Sequence, residues 1–426
     1  YLYMSRRGGV QPNFNPGEEQ QIQRWKNQEW FPTGQLLFDG GRVYLRTNHD
    51  IACWSTDGGQ AKLLWRSAWL NAYHPDPITM MMQAVGQQLV QDRPFVPQEV
   101  LTFGDRIHRG ASIIDGVVYV IEGKRVPRHS GVVPSPNQGQ QGYNWGTIPR
   151  RTRSNFLAAY DAKTGKSRWE PPVHPGGTGD KEGDLGFLAP RVPFGHLLLA
   201  PATDGGSLWL YALHRDDGRA MWKTELCDEP HGGCSQWSPV GVSVDGGEAY
   251  VASGSGVIFA LDATSGSIRW AVRYRRDGGK NSQLQNYFGY GGQLLDLKGW
   301  DEDFAIPHGK TLVVLASDHD RVFAIDRRTG EMLWDSPRTP LGQTGRYYLG
   351  VLGDNLYTGS RGATRAYHIP SGRLLWETPL GVCHGRGALT PDGIYMPVGN
   401  SVVKLDPADG RKITQVGVSL TTDEPV

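Results

Sequence analysis

The chain is poor in the features that define many functional classes. Its 426 residues include only 4 cysteines, too few for a disulfide-dense scaffold. No Cys-x-x-Cys-His sequence for attaching haem is present. Neither sign of charge prevails: 44 Lys and Arg against 43 Asp and Glu leave a net charge of +1. Global attraction to nucleic acid or to a membrane surface is thereby excluded as the organising principle. No apolar run approaches the roughly 20 residues of a spanning helix, and no signal peptide opens the sequence. It begins at Tyr1 rather than Met, as expected of a processed or excised segment.

What the chain has is repetition. Residues 322–334 read VFAIDRRTGEMLW, and the phrase returns as FLAAYDAKTGKSRW at 156–169 and IFALDATSGSIRW at 258–270. The shared frame is Ala-x-Asp-x-x-[Thr/Ser]-Gly-x3-Trp. Weaker copies stand at 210–222 (LYALHRDDGRAMW) and 364–376 (TRAYHIPSGRLLW). The apolar run predicts a buried strand. The Asp can bond the backbone of the turn after it, and Gly330, Gly165 and Gly266 supply the φ > 0 position of a tight hairpin. The second strand carries Trp, a large ring with one polar handle, suited to fill the gap between neighbouring sheets. Trp169, Trp222, Trp270, Trp334 and Trp376 are the expected docking residues.

Two further strands precede each phrase, as in GASII (110–114) before GVVYVIEG (116–123). Each unit is then four antiparallel strands, A to D, or one propeller blade, and the Trp residues recur at about the roughly 40 to 50 residues of such a blade. Residues 42–65 form an earlier copy. Residues 401–416 form a later one, with Thr414 where Trp belongs. The reading is an all-β propeller in one domain, 1–426. Eight blades are preferred and seven are the alternative, with the eighth closed by pairing strands from the two chain ends, YLYMS at 1–5 and residues 417–426.

The frame resembles the repeat of the PQQ-like propeller superfamily, which holds quinoprotein alcohol dehydrogenases and the outer-membrane assembly lipoprotein BamB. The resemblance covers about residues 35 to 416. It implies the fold, and it leaves function open because the superfamily contains both enzymes and inert scaffolds.

Corners between A and B and between C and D are short and share one face of the disc. The long segments 68–107, 123–153, 227–236 and 274–303 leave the opposite face, where function is expected. Segment 76–89 has helical spacing (Ile78, Met81, Met82, Val85, Leu89) behind Asp76 and Pro77. It reads as a helix packed over the disc, or alternatively as a Met-rich contact surface. Segment 123–153 carries Lys124, Arg125, Arg128, Arg150, Arg151 and Arg153 with no acid. It is either a solvated loop or a dock for an acidic partner.

His108, Arg109, Trp237, Arg346, Tyr347, His384 and Arg386 lead into the A strands of four blades, at the expected mouth of the central funnel. Their types suit an anion held by Arg hydrogen bonds, or equally the capping of exposed blade carbonyls. Cys227 and Cys234 are a disulfide candidate in an oxidising compartment. With His231, and Cys383 or His384, they are a weak metal set that matches no standard zinc spacing.

Three functions follow from the resemblance and these residues. One is a non-catalytic periplasmic or extracellular scaffold, monomeric or part of a larger assembly, that holds a protein, an anionic envelope polymer or a small anion. It would need no cofactor. A second is a quinoprotein dehydrogenase with PQQ and Ca2+, for which Trp237 is the stacking candidate. The adjacent Cys-Cys pair of those enzymes is missing, and their cation-binding Glu and Asn and catalytic Asp match no position here. A third is a polysaccharide-active propeller, with His108 or His384 and Tyr347 as acid and base and Arg109 or Arg386 neutralising a uronate. The reading leans away from an enzyme.

Overall fold

The computed structural model of the chain describes residues 36–46, 51–56, 62–67, 110–122, 132–136, 143–147, 155–169, 186–189, 192–204, 207–228, 240–276, 303–316, 318–319, 321–336, 347–360, 362–381, 383 and 385–417. Blade 1 is β1 (Leu36–Asp39), β2 (Arg42–Arg46), β3 (Ile51–Ser55) and β4 (Lys62–Arg66). Blade 2 has β5 (Ala111–Ile114) and β6 (Val117–Glu122). After an inserted hairpin of β7 (Val132–Pro136) and β8 (Tyr143–Thr147) comes its third strand, β9 (Phe156–Asp161). The outer strand of this blade is reduced to one bridge, Tyr160 to Ser167. In blade 3 the short β10 (Gly186–Phe187) and β11 (Val192–Phe194) both pair with β12 (Leu197–Asp204), followed by β13 (Ser207–His214) and β14 (Ala220–Asp228).

Blade 4 is β15 (Val242–Asp245), β16 (Glu248–Ala252), β17 (Val257–Asp262) and β18 (Ile268–Arg273), and blade 5 is β19 (Phe304–His308), β20 (Thr311–Leu315), β21 (Phe323–Asp326) and β22 (Met332–Asp335). Blade 6 is β23 (Tyr347–Leu352), β24 (Asn355–Gly359), β25 (Ala363–His368) and β26 (Arg373–Pro379). Blade 7 is β27 (Ala388–Thr390), β28 (Gly393–Val398), β29 (Ser401–Leu405) and β30 (Lys412–Gly417). All the strand pairs within blades are antiparallel, and first strands of successive blades, such as β15 and β19, lie against one another.

The described residues thus build seven blades, and the preference for eight is not supported. Of the segments expected to close an eighth blade, residues 1–5 and 418–426 lie outside the described residues and Gly417 ends β30; the expected helix at 76–89 also lies outside. Among the described residues there is no helix.

The core is distributed over the joints between blades. Blades 1 and 2 share Tyr44, Cys53, Val118 and Tyr160. Blades 2, 3 and 4 share one cluster running from Tyr119 through Leu199 to Phe259. The later joints are filled by Tyr250 and Phe323, by Val313 and Leu356, and by Tyr357 and Met396. Strand alternation makes this possible, because each sheet turns one apolar row to each neighbour.

The repeated phrase sets the angle of these joints. The indole N–H of Trp65 donates to the Ala162 carbonyl of the next blade (3.0 Å), and Trp169 reaches Arg215 O (3.3 Å) in the same way. Trp270, Trp334 and Trp376 donate to Arg327 O (3.2 Å), Ile369 O (2.8 Å) and Pro407 O (3.2 Å). Every acceptor is the residue just after the turn Asp, or after His214 or His368 in the weaker copies. Trp222 departs from the pattern: its indole nitrogen finds no partner, and Thr224 donates to Gly266 O instead (2.7 Å). Trp169 is buried and the other docking indoles are half-buried.

The turn Gly is the seat for the preceding blade's ring. A Cβ at Gly372 would stand 2.5 Å from the Trp334 ring, and one at Gly410 or Gly165 would stand 2.5 Å from Trp376 or Trp65. The same residues have positive φ, 69° at Gly372. One glycine therefore meets two demands, a left-handed turn and a close ring contact. The turn is held by its Asp: Asp326 Oδ1 accepts the N–H groups of Arg328 and Thr329 (2.9 Å each), and Asp161 and Asp262 do likewise. A bulge follows, so that Ala260 faces Trp270 while Leu261 faces Ile268. The small Ala leaves room beside the indole.

Substitution at two glycines separates these demands. Gly353→Ala, at φ +59 with nothing within 4 Å, should cost about 1 kcal/mol for the backbone alone. Gly372→Ala should cost roughly twice that or more, because the Trp334 ring must also shift. Denaturant titration of both variants checks this, and equal losses would remove the ring contact as a cause.

Acid should loosen the same corners. Arg168, with the turn N–H groups, holds Asp161 down at about 2, and Arg269 does the same for Asp262. A lowered carboxylate contributes stability above its ordinary range near pH 4 and loses it as pH falls toward about 2. Melting temperature should therefore drop between about pH 4 and 2, and less steeply in Asp161→Asn.

Candidate functional site

The described strand ends fix which face is elaborated. The connections from β4 to β5, β14 to β15, β18 to β19 and β22 to β23 join a D strand to the next A strand, and the β6 to β9 connection joins B to C. All five leave the same face. On the other face the A–B corners close in a few residues through glycines of positive φ, such as Gly116, Gly246 and Gly353.

Of the seven residues expected at the funnel mouth, His108, Arg109, Trp237, Arg346 and His384 lie outside the described residues. Tyr347 and Arg386 are described, and they meet. Tyr347 opens β23 of blade 6, while Arg386 lies just before β27 of blade 7, with its guanidinium 5.6 Å from the centre of the Tyr347 ring. The contact has cation–π geometry. The Tyr347 ring covers Gly359, where a Cβ would stand 2.5 Å away, and its hydroxyl donates to Gly385 O at 3.4 Å. At 1% exposure Tyr347 belongs to the blade 6–7 core. This placement serves packing and gives the phenol no open path to a substrate.

Backbones crowd together at the same level between blades 4 and 5. Val240 and Asp303, each just before an A strand, form a parallel bridge. A Cβ on the adjacent Gly241 would stand 1.8 Å from Asp303 O. Only glycine fits so close an approach.

Cys227 is a free, half-buried thiol near the end of β14. Cys234, its candidate disulfide partner, lies outside the described residues, as does His231 of the weak metal set. Burial pushes the Cys227 thiol up to about 11, and it does the same to Cys383. Neither is a ready nucleophile at neutral pH. Among the described residues no three His, Cys, Asp or Glu side chains group as a metal site.

Beneath the elaborated face lies a set of buried ion pairs that the sequence reading missed. At the end of β2, Arg46 Nη2 is 2.6 Å from Glu122 Oε2 at the end of β6, across the joint of blades 1 and 2. Tyr160 donates to the other carboxylate oxygen at 3.4 Å. Within blade 6, Arg365 Nε is 2.6 Å from Glu377 Oε1, and Nη1 donates to Ser360 Oγ (3.3 Å). At the joint of blades 4 and 5, Asp318 accepts from Tyr274 and pairs at 2.9 Å with Arg276, whose side chain is about half exposed. The visible signal was a charged residue ending an apolar strand, as Glu122 does after VVYVI. Which charges pair depends on strand register.

These pairs bind groups to one another and leave little chemistry to spare. The innermost strands β1, β5, β10, β11, β15, β19, β23 and β27 carry carboxylates only at Asp39 and Asp245. Both sit at A–B corners on the plain face, and Asp245 is engaged by Arg327. The innermost strands themselves therefore supply no carboxylate on the elaborated side for the Ca2+ and PQQ that the resemblance implies.

Removing one member of a buried pair leaves a desolvated charge. Glu122→Gln should destabilise by about 3 kcal/mol, and pairing it with Arg46→Met should recover much of that loss. Urea unfolding of both variants reads the outcome, and a single variant within about 0.5 kcal/mol of the parent would show the pair to be incidental.

Likenesses to known proteins agree with this geometry. No curated protein matches the chain. BamB from Moraxella catarrhalis has a TM-score of 0.51 at 16% identity, with 92% of this chain and 89% of that one covered. Quinohemoprotein alcohol dehydrogenase from Comamonas testosteroni gives 0.52 at 12%, covering 92% and 68%. A computationally designed protein, Ika8, gives 0.50 at 12%, covering 92% and 88%. Likenesses this remote carry the fold alone. The family described as outer membrane protein assembly factor BamB matches residues 204–390 and, overlapping them, 296–424, together about half of the sequence. The chain belongs to this family of PQQ-like β-propellers.

Proposed function

We propose that the chain is a non-catalytic, extracytoplasmic binding scaffold that holds a protein or an anionic envelope polymer on its elaborated face. The observation that carries this reading is the segregation of connections: every long one leaves the B–C and D–A side, above a floor whose charges are already paired. A fixed floor under variable loops is a general arrangement for recognition. The 123–153 connection brings six basic residues and no acid to that side, suiting an acidic partner surface. The family description names an assembly factor, which favours a protein as partner. No cofactor is required.

Deleting residues 132–147, the inserted hairpin, should leave the melting temperature within about 2 °C. Chemical cross-linking in an envelope extract should then fail to recover the protein captured by the full chain. Replacing Arg150, Arg151 and Arg153 by Gln should weaken capture on the scale of about 1 kcal/mol per lost contact, and added salt should mimic it. Unchanged capture in both variants would move the contact off this connection. Quinone absorbance co-eluting with the protein after incubation with PQQ and Ca2+ would overturn the non-catalytic reading.

A further inference from the structure

In blades 1, 4 and 6 a B-strand Tyr, a small C-strand residue and a D-strand Trp lie side by side: Tyr44–Cys53–Trp65, Tyr250–Ala260–Trp270 and Tyr357–Ala366–Trp376. The rings of each pair stand about 6 Å apart (6.0, 6.2 and 6.0 Å). The next row toward the elaborated face turns the opposite way, to the preceding blade. On its B and C strands it reads Leu45–Ala52, Val120–Ala158, Ala200–Tyr211, Val251–Phe259, Val314–Phe323 and Met396–Val403. In blade 6 it reads Thr358–Arg365, and Glu377 continues it on the D strand. One blade has put a polar row where the others are apolar.

This row faces blade 5. Leu356 and Tyr367, the next residues along the same face, pack there with Val313 and Leu315. Thr358 and Arg365 are wholly buried, each at 0% exposure. The guanidinium gives its Nε to Glu377 Oε1 and its Nη1 to Ser360 Oγ. Among the described residues Nη2 has no acceptor, and Thr358 Oγ1 has neither donor nor acceptor. A buried group left so bears its full desolvation cost, and native proteins answer most such groups with ordered water or a ligand.

Charge selects what binds. Glu377 already neutralises the guanidinium, so an anion would stand beside that carboxylate uncompensated, and a cation would face Nη2. A neutral oxygen remains. Complete burial limits it to a small molecule, and one fixed donor with one hydroxyl that both donates and accepts meets the needs of an internal water. We propose that this row is an internal hydration site of blade 6, with bound water accepting from Arg365 Nη2 and bonded to Thr358 Oγ1. The water completes the hydrogen bonds of the guanidinium and so steadies Ser360, whose Oγ also accepts the N–H of Ala363 at the B–C corner (3.2 Å). It anchors a corner of the elaborated face, whatever that face holds.

High-resolution diffraction from crystals of the intact chain tests the site directly. Ordered water should lie within hydrogen-bonding distance, about 2.7–3.2 Å, of Arg365 Nη2 and of Thr358 Oγ1. The melting temperature of Thr358→Val reads the same point in solution through its sign, since Val keeps the branched shape and suits a strand. If water holds the hydroxyl, the variant should melt lower, on the order of 2 °C, because the water loses a partner. If the hydroxyl is an orphan, Val relieves a desolvated group and the variant melts at or above the parent temperature. Nη2 paired directly with a protein group, an ion in place of water, no density at the row, or a Thr358→Val midpoint at or above that of the parent would each overturn the proposal.

Discussion

One interaction underlies the architecture: the indole of one blade lying on the turn glycine of the next, with its N–H on the carbonyl beside that glycine's turn Asp. It links local and global structure through a single phrase. The Asp and Gly make the corner, the corner presents the carbonyl and the bare Cα, and the Trp four residues past the Gly occupies the equivalent seat on the following blade. Local turn chemistry and inter-blade packing are thus satisfied by the same residues, and such agreement across levels gives a sequence one fold. Blade 3 shows the tolerance of the device. Trp222 keeps its seat on Gly266 while Thr224 supplies the hydrogen bond.

The two faces of the disc divide the remaining work. On the plain face short corners are tied by exposed ion pairs that reach between blades, Asp115 to Arg215 and Asp245 to Arg327. On the elaborated face the charges are driven inward, with Arg46 and Glu122 almost wholly removed from water. A buried pair adds little net stability, but it punishes misalignment severely. Such pairs hold the strand ends from which the long connections start. A binding surface carried on those connections needs that rigidity more than it needs reactive groups.

The repeat made the fold legible, since strands, corners and docking Trp all lie within a short window of sequence. Tyr44, Tyr250 and Tyr357 were legible in principle, each standing in the middle of its B strand. Their partnership with Trp needed the cross-strand register. The ion pairs were hidden for the same reason: Arg46 and Glu122 are 76 residues apart, and no local pattern pairs them. Of the residues expected at the funnel mouth, Tyr347 and Arg386 are described and lie in contact. The sequence could not show that Tyr347 would be buried in the blade 6–7 core with its ring over Gly359. The described residues build seven blades, and the chain ends that an eighth would need lie outside them.

The account turns on one face binding and the other not. A photo-crosslinking side chain placed at exposed Asp228 or Arg275, beside the long connections, and at exposed Asp216 or Asp409, on the plain corners, would test this within the native cell envelope. The account predicts a discrete protein adduct from 228 and 275 and none from 216 and 409. Adducts from the plain corners alone, or equally from both faces, would contradict it.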